Sequence, residues 1–122
     1  LAVHAAHSPY SGVCVGAALL DEAGRIHDGC NVESASYGLT ICAERTALVS
    51  AVAAGAKRFR AVAVASNLPR LLMPCGACRQ FLSEFGPGMQ VIVVGPGEER
   101  KKTTMDQLLP EAFSPADLDT PR

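Results

Sequence analysis

The chain has 122 residues, which is the size of one compact domain. Eleven basic and 12 acidic residues give a formal net charge of -1 at pH 7. The concentrated basic face that binds a phosphate backbone is therefore not expected, and with 48% hydrophobic residues the chain is too apolar to be disordered. Residues 1–113 are predicted to form a single domain, and the aperiodic stretch 114–122 is predicted to be a C-terminal tail.

The predicted elements begin with an antiparallel hairpin. Residues 13–20 alternate between larger and smaller side chains, as is typical of a strand, and after a short turn residues 25–32 return as a second strand. An Ala- and Leu-rich helix at 42–54 comes next, and residues 61–65 predict a short buried strand. The first half of the chain therefore combines a hairpin, a helix and a strand.

The second half repeats the alternation of helix and strand. Residues 75–85 carry the apolar stripe of an amphipathic helix, and the apolar run 91–94 predicts a strand inside the sheet, covered on both faces. A short helix is expected at 105–109. This order of elements predicts an α/β fold, a three-layer αβα sandwich with a mixed central β-sheet.

The chain has five cysteines, an odd number without the dense, regular spacing of a secreted disulfide scaffold. They favour a reducing compartment, so we expect a cytoplasmic protein in which some thiols bind metal or react. Cys14 and Cys30 fall in predicted strands and are expected to be small buried apolar side chains. No run of 18 apolar residues indicates a membrane span.

The other three cysteines lie at the starts of the two longer predicted helices, with Cys42 on the first and Cys75 and Cys78 on the second. The partial positive charge of a helix N-terminus lowers the pKa of a thiol there and favours the thiolate. Three thiolates suit Zn²⁺, and three protein ligands leave one coordination position open, which is typical of a catalytic zinc. We therefore predict one Zn²⁺ per chain, held by these three residues.

Two charged residues follow the first of these cysteines. Glu44 lies in the opening turn of its helix, where its carboxylate would approach a zinc-bound water without binding the metal and would move protons. A zinc ion with three thiolates carries a net charge of -1, and Arg45 is expected to offset that charge by donating hydrogen bonds to the sulfurs.

Other interpretations of the cysteines remain open at this point. Cys75 and Cys78 form a Cys-x-x-Cys pair, which is often a redox motif, but a redox role leaves Cys42 and Glu44 unused. A structural zinc would need a fourth Cys or His ligand, and none of the three histidines is an obvious candidate. A non-catalytic, zinc-stabilised interaction domain would have no need of Glu44.

Six segments, spread over nearly the whole chain, carry a resemblance to a known family: SPYS (8–11), VGAAL (15–19), NVE (31–33), CAERTAL (42–48), PCGACRQ (74–80) and LLPEAF (108–113). By these segments the sequence resembles the zinc-dependent cytidine deaminases of the small homotetrameric type that act on free nucleosides.

The resemblance implies an enzyme of pyrimidine salvage, a hydrolase of cyclic amidine C–N bonds. It would convert cytidine and deoxycytidine to uridine and deoxyuridine plus ammonia, with a zinc-activated hydroxide attacking C4 and Glu44 shuttling protons. The alternatives are a deaminase of another cytosine nucleoside, such as blasticidin S, and the interaction domain. No nucleic-acid partner is expected, because relatives that act on RNA or DNA usually have His as their first ligand and no basic track is evident in the chain. No membrane partner is expected either.

The resemblance also implies roles for residues that bind the substrate. Asn31 and Glu33 would hydrogen-bond the ribose hydroxyls, and Glu33 would repel a nucleotide phosphate. The backbone N–H of Ala43 would hold the pyrimidine carbonyl oxygen. Tyr37 and Phe113 would reach the pockets of neighbouring subunits in a homotetramer whose sites lie near subunit interfaces.

Further positions either support the metal or depart from the family. By the resemblance, Gln80 joins Arg45 as a partner of the thiolates. Relatives commonly carry Phe at the position of Val13, where the ring packs against the pyrimidine, Pro at that of Cys14 and Ser at that of Met73. The loss of the aromatic ring is expected to weaken stacking on the base.

Overall fold

The computed structural model of the protein describes residues 2–97 and 99–118, so residues 119–122 of the predicted tail lie outside the described part. The described residues form five strands, β1 (Val15–Asp21), β2 (Ile26–Cys30), β3 (Phe59–Ser66), β4 (Gln90–Val94) and β5 (Arg100–Thr104). Within the same ranges lie three α-helices, α1 (Ala43–Ala53), α2 (Gly76–Ser83) and α3 (Met105–Leu108). Short 3₁₀ turns lie at Ala2–Ala5, Tyr37–Leu39 and Pro115–Leu118.

The strands form one mixed sheet in the order β2-β1-β3-β4-β5. All neighbours pair antiparallel except β3 and β4, which are parallel. The predicted hairpin and the predicted α/β fold with a mixed sheet are therefore confirmed. β5 was not predicted, because its sequence RKKTT has none of the apolar alternation that identifies a strand. It is an edge strand, a position where exposed lysines are common.

One face of the sheet carries the main core. Helix α1 packs over β1 and β2, α2 packs beside α1, and the strand residues beneath them, among them Leu19, Val62 and Val91, are fully buried. Residues 91–94 lie inside the sheet as predicted, but their burial is uneven: Val91 and Val93 are fully buried, whereas Ile92 and Val94, on the second face, are only partly buried. Within the described ranges, the Ala2–Ala5 turn covers one end of that face. No described helix is long and apolar enough to cross a membrane.

A close approach of β2 and α1 fixes the start of the helix. Gly29 pairs with a residue of β1 and faces α1, and a Cβ added to it would fall on the backbone nitrogen of Ala47 and the carbonyl of Ala43. The hydroxyl of Thr46 also lies 2.7 Å from the carbonyl oxygen of Cys30. Because α1 begins at Ala43, these contacts place the Cys42–Glu44 segment directly against the sheet.

Substitution Gly29→Ala is expected to destabilise the protein by about 1–3 kcal/mol, because the added methyl group has no space between β2 and α1. Urea denaturation followed by circular dichroism measures the change. Gly38→Ala is the matched control, since nothing described lies within 4 Å of a Cβ added there. Equal stability of the two variants would contradict the close approach.

Candidate active site

Three cysteine sulfurs meet where the N-termini of α1 and α2 come together. Cys42 is the N-cap of α1, Cys75 is the N-cap of α2, and Cys78 lies one turn further along α2. The Sγ atoms of Cys42 and Cys75 are 3.7 Å apart, those of Cys75 and Cys78 are 3.5 Å apart, and all three lie within 4.8 Å of one another. The structure therefore brings together the three residues that the sequence predicts as ligands.

The arrangement of the sulfurs fits zinc. A Zn–S distance of about 2.3 Å in tetrahedral geometry requires sulfurs about 3.8 Å apart. The two short separations are close to that value, and three thiolates leave one position open for water or substrate. All five cysteines are free thiols, so no disulfide competes for these sulfurs.

The thiols do not ionise equally. Hydrogen bonding with Cys78, assisted by Arg45 and Cys75, lowers the pKa of the Cys42 thiol to about 5. The pKa of Cys78 is raised by the same hydrogen bond and by burial. One thiolate therefore forms readily, and its negative charge opposes the ionisation of the next thiol. A divalent cation is needed to hold all three cysteines as thiolates.

Arg45 provides positive charge beside the sulfurs. Its terminal Nη2 nitrogen lies 3.5 Å from Sγ of Cys42, and the hydrogen bond to that sulfur raises the pKa of the guanidinium. The Nε atom of Arg45 is buried and has no hydrogen-bond partner among the described residues. Its position agrees with the predicted role of offsetting thiolate charge.

Glu44 is buried, with 3% of its surface exposed, and lines a cavity of about 170 Å³. Burial, reinforced by the nearby Cys42, raises the pKa of its carboxyl group. A carboxyl group with a raised pKa exchanges protons near neutral pH more readily than an ordinary one. The residues around this cavity are Val15, Asn31, Thr40, Ile41, Cys42, Ala43, Glu44, Val64, Leu72, Met73 and Cys75.

The two predicted ribose ligands occupy adjoining spaces. Asn31 lines the cavity that contains Glu44, which we call the inner cavity. Glu33 lines an outer cavity of about 350 Å³, and Thr40 borders both cavities. The Glu33 carboxylate accepts hydrogen bonds from the hydroxyl of Ser11 and from the backbone N–H groups of Ser11 and Tyr10, which lower its pKa. Glu33 thus remains ionised and holds the loop beside the outer cavity.

The remaining predicted residues lie at the periphery. Tyr37 borders the outer cavity and contacts Tyr10 edge-to-face, with 6.1 Å between ring centroids. Phe113 is exposed and borders neither cavity. Gln80 donates from Nε2 to the backbone carbonyl of Phe113, 2.8 Å away. Its role as a partner of the thiolates stays a prediction.

Several residues of the inner cavity were not predicted. Ile41, Thr40 and Leu72 immediately precede the cysteine motifs or lie close to them, and this proximity is the signal that could have identified them. Val13 does not border the cavity and packs against the core instead. The apolar residues that line the cavity are aliphatic apart from Met73, and no aromatic side chain is among them.

Three sulfurs that could hold zinc, next to a buried glutamate that is not a ligand, are typical of the zinc-dependent deaminases. Residues 1–95 match the family described as the cytidine and deoxycytidylate deaminase zinc-binding region. The chain is 53% identical to a probable cytidine deaminase of Dictyostelium discoideum, covering 93% of this chain and 77% of that protein. It is 47% identical to the cytidine deaminase of Sporosarcina psychrophila, covering 93% and 84%.

Solved structures show the same fold. The cytidine deaminase of Burkholderia pseudomallei superposes with a TM-score of 0.88 at 47% identity, covering 92% of this chain and 91% of that one. The enzyme of Mycobacterium tuberculosis gives a TM-score of 0.80 at 41% identity, covering 92% and 88%. The protein belongs to the cytidine and deoxycytidylate deaminase family.

Zinc content tests the ligand set. The purified protein is expected to hold about one zinc ion per chain, and Cys75→Ser should lose most of it because a hydroxyl replaces a thiolate ligand. Cys14→Ser is the matched control and should keep its zinc. Atomic emission spectrometry gives the ratio, and full zinc occupancy in Cys75→Ser would remove Cys75 from the set.

Proposed function

We propose that the protein hydrolyses cytidine and deoxycytidine to uridine and deoxyuridine, with release of ammonia. The observation that carries the proposal is the buried Glu44 carboxyl group in the same small cavity as Cys42 and Cys75. A non-catalytic zinc domain would not need a buried carboxyl group at this place, because burial of such a group is unfavourable to folding.

Proton transfer by Glu44 is the central chemical step of this proposal. Zinc held by Cys42, Cys75 and Cys78 would supply the charge that lets water lose a proton at neutral pH. Glu44 would take that proton and deliver it to N3 of the pyrimidine as the water oxygen bonds to C4. A second transfer through Glu44 would protonate the amino group, which leaves as ammonia while C4 becomes a carbonyl.

The start of α1 would bind the base. The first backbone N–H groups of a helix have no partner within the helix, and Ala43 is the first residue of α1. Its N–H would donate to the pyrimidine carbonyl oxygen, while Ile41 and Leu72 would cover the ring. This arrangement would orient C4 toward Glu44.

Asn31 and Glu33 would bind the sugar, since an amide and a carboxylate both hydrogen-bond hydroxyl groups. The ionised Glu33 would also oppose a phosphate at the same place. The proposed substrates are therefore free nucleosides, and nucleotides and nucleic acids are disfavoured.

Activity of Glu44→Gln tests the proposed chemistry. The wild-type protein is expected to convert cytidine to uridine, and the amide, which cannot carry the proton, should lower kcat by about a hundredfold to ten-thousandfold while zinc is retained. Loss of cytidine absorbance measures the rate. The control is Glu84→Gln, which changes an exposed carboxyl group at the end of α2 and should leave kcat unchanged.

The same assay includes deoxycytidine, CMP, blasticidin S and a cytosine-bearing oligonucleotide. Turnover of blasticidin S alone would replace the proposed substrate, and a zinc-loaded protein inert on every compound would indicate the interaction domain. Full activity of Glu44→Gln would rule out the proton shuttle.

We further propose that the active form is a homotetramer. Tyr10 and Tyr37 line the outer cavity and are 53% and 75% exposed. Leu39, in the same 3₁₀ turn as Tyr37, is 73% exposed. Phe113 is exposed as well. An exposed apolar group of this kind is typical of an interface, and a neighbouring subunit covering it would also close the cavity.

Size-exclusion chromatography with light scattering is expected to give the mass of four chains, because burial of the exposed apolar side chains in subunit interfaces favours association. Tyr37→Ser should weaken assembly and lower kcat/KM while zinc remains bound. A monomer that is fully active would contradict the proposed assembly.

A further inference from the structure

Two asparagines flank the chain that enters β1. Asn31 is the first residue after β2, and Asn67 is the first residue after β3. β1 lies between β2 and β3, so each asparagine lies where one of these neighbouring strands ends. Beyond that point the backbone hydrogen bonds between β1 and the neighbouring strand also end. Residues 12–15, directly at the entry to β1, lie between the two side chains.

Asn31 holds this segment from one side. Its Oδ1 accepts a hydrogen bond from the backbone N–H of Val15 at 2.9 Å, and its Nδ2 donates to the carbonyl of Val13 at 2.7 Å. An amide oxygen has two lone pairs and an amide nitrogen has two protons, so Asn31 keeps one acceptor and one donor for another partner. Asn31 is buried and lines the inner cavity.

Asn67 holds the alternate residues from the other side. Its Oδ1 accepts from the backbone N–H of Cys14 at 2.9 Å, and its Nδ2 donates to the carbonyl of Gly12 at 2.9 Å. Its backbone N–H also donates to the carbonyl of Cys14 at 3.0 Å. The two side chains thus bind successive peptide groups of residues 12–15, beyond the ends of the neighbouring strands β2 and β3.

The position of the Asn31 amide depends on this segment, because both of its observed hydrogen bonds are made to it. The segment depends in turn on Asn67, which fixes its other edge. Asn67 itself is exposed and does not border the inner cavity. The side-chain hydrogen bonds of Asn67 therefore connect it to a bound nucleoside through residues 12–15 and Asn31.

We propose that Asn67 is a positioning residue for the sugar of the substrate: it clamps residues 12–15 against Asn31 and so fixes the amide that faces the nucleoside. This inference rests on the proposed function, in which Asn31 binds a ribose hydroxyl. A merely structural role would lower stability without changing substrate affinity selectively.

Kinetics of Asn67 variants test the clamp. Asn67→Ala removes both side-chain hydrogen bonds and is expected to raise KM for cytidine by about threefold to tenfold, the cost of a hydrogen bond or two, with kcat changed less than twofold and zinc unchanged. Asn67→Asp keeps the acceptor for Cys14 but loses the donor to Gly12, so its KM should be intermediate. Arg70→Ala, an exposed change in the same loop, is the matched control.

A double variant separates positioning from general destabilisation. Asn31→Ala alone should raise KM, and adding Asn67→Ala should raise it little further, because Asn67 acts through Asn31. Full additivity of the two increases would overturn the proposal, as would an unchanged KM or a loss confined to kcat in Asn67→Ala.

Hydrogen exchange gives a readout that does not depend on activity. The amide of Val15, bonded to Asn31, should exchange about threefold to tenfold faster in Asn67→Ala than in the wild type or in Arg70→Ala, because the segment opens more often. Unchanged exchange at Val15 would overturn the clamp. A protein that deaminates no nucleoside would defeat the proposed function, and the exchange rates would still show whether Asn67 holds Asn31.

Discussion

The mutual repulsion of three thiolates is the constraint on which this structure depends. The sulfurs of Cys42, Cys75 and Cys78 lie within 4.8 Å of one another, and the pKa values of Cys42 and Cys78 are displaced in opposite directions. Two helix N-termini and the Arg45 guanidinium supply part of the positive charge that such a cluster requires. A divalent cation supplies the rest, so the fold is arranged around a metal centre.

Bringing two helix N-termini to one point places demands on the sheet. Helix α1 must lie close to β2, and Gly29 permits this because it has no side chain to separate them. Helix α2 must start beside α1, and the guanidinium of Arg79 holds the carbonyl of Pro74 at 2.8 Å and that of Leu108 at 3.0 Å. Arg79 thereby connects Pro74, the residue before Cys75, to the end of α3.

The parts of the molecule encoded by short stretches of sequence were predictable, and the parts built by distant contacts were not. The Cys42–Glu44 and Cys75–Cys78 motifs are short and local. Their positions at the starts of two predicted helices were enough to predict that the three cysteines lie together. The predicted strand 13–20 begins only at Val15, because asparagine side chains replace neighbouring strands before it. No local sequence pattern predicts that a distant asparagine side chain will replace a strand. The contact of Gln80 with Phe113 likewise joins residues far apart in the chain.

The aliphatic lining of the cavity explains why backbone positioning matters here. Val13 packs against the core, and the described residues that line the cavity include no aromatic side chain. Aliphatic walls exclude water from a flat ring but do not fix its rotation, because dispersion contacts are individually weak and non-directional. In the proposed complex the orientation of the nucleoside would rest on directed hydrogen bonds from Ala43 and Asn31. The rigidity of the segment that holds Asn31 would then contribute directly to substrate affinity.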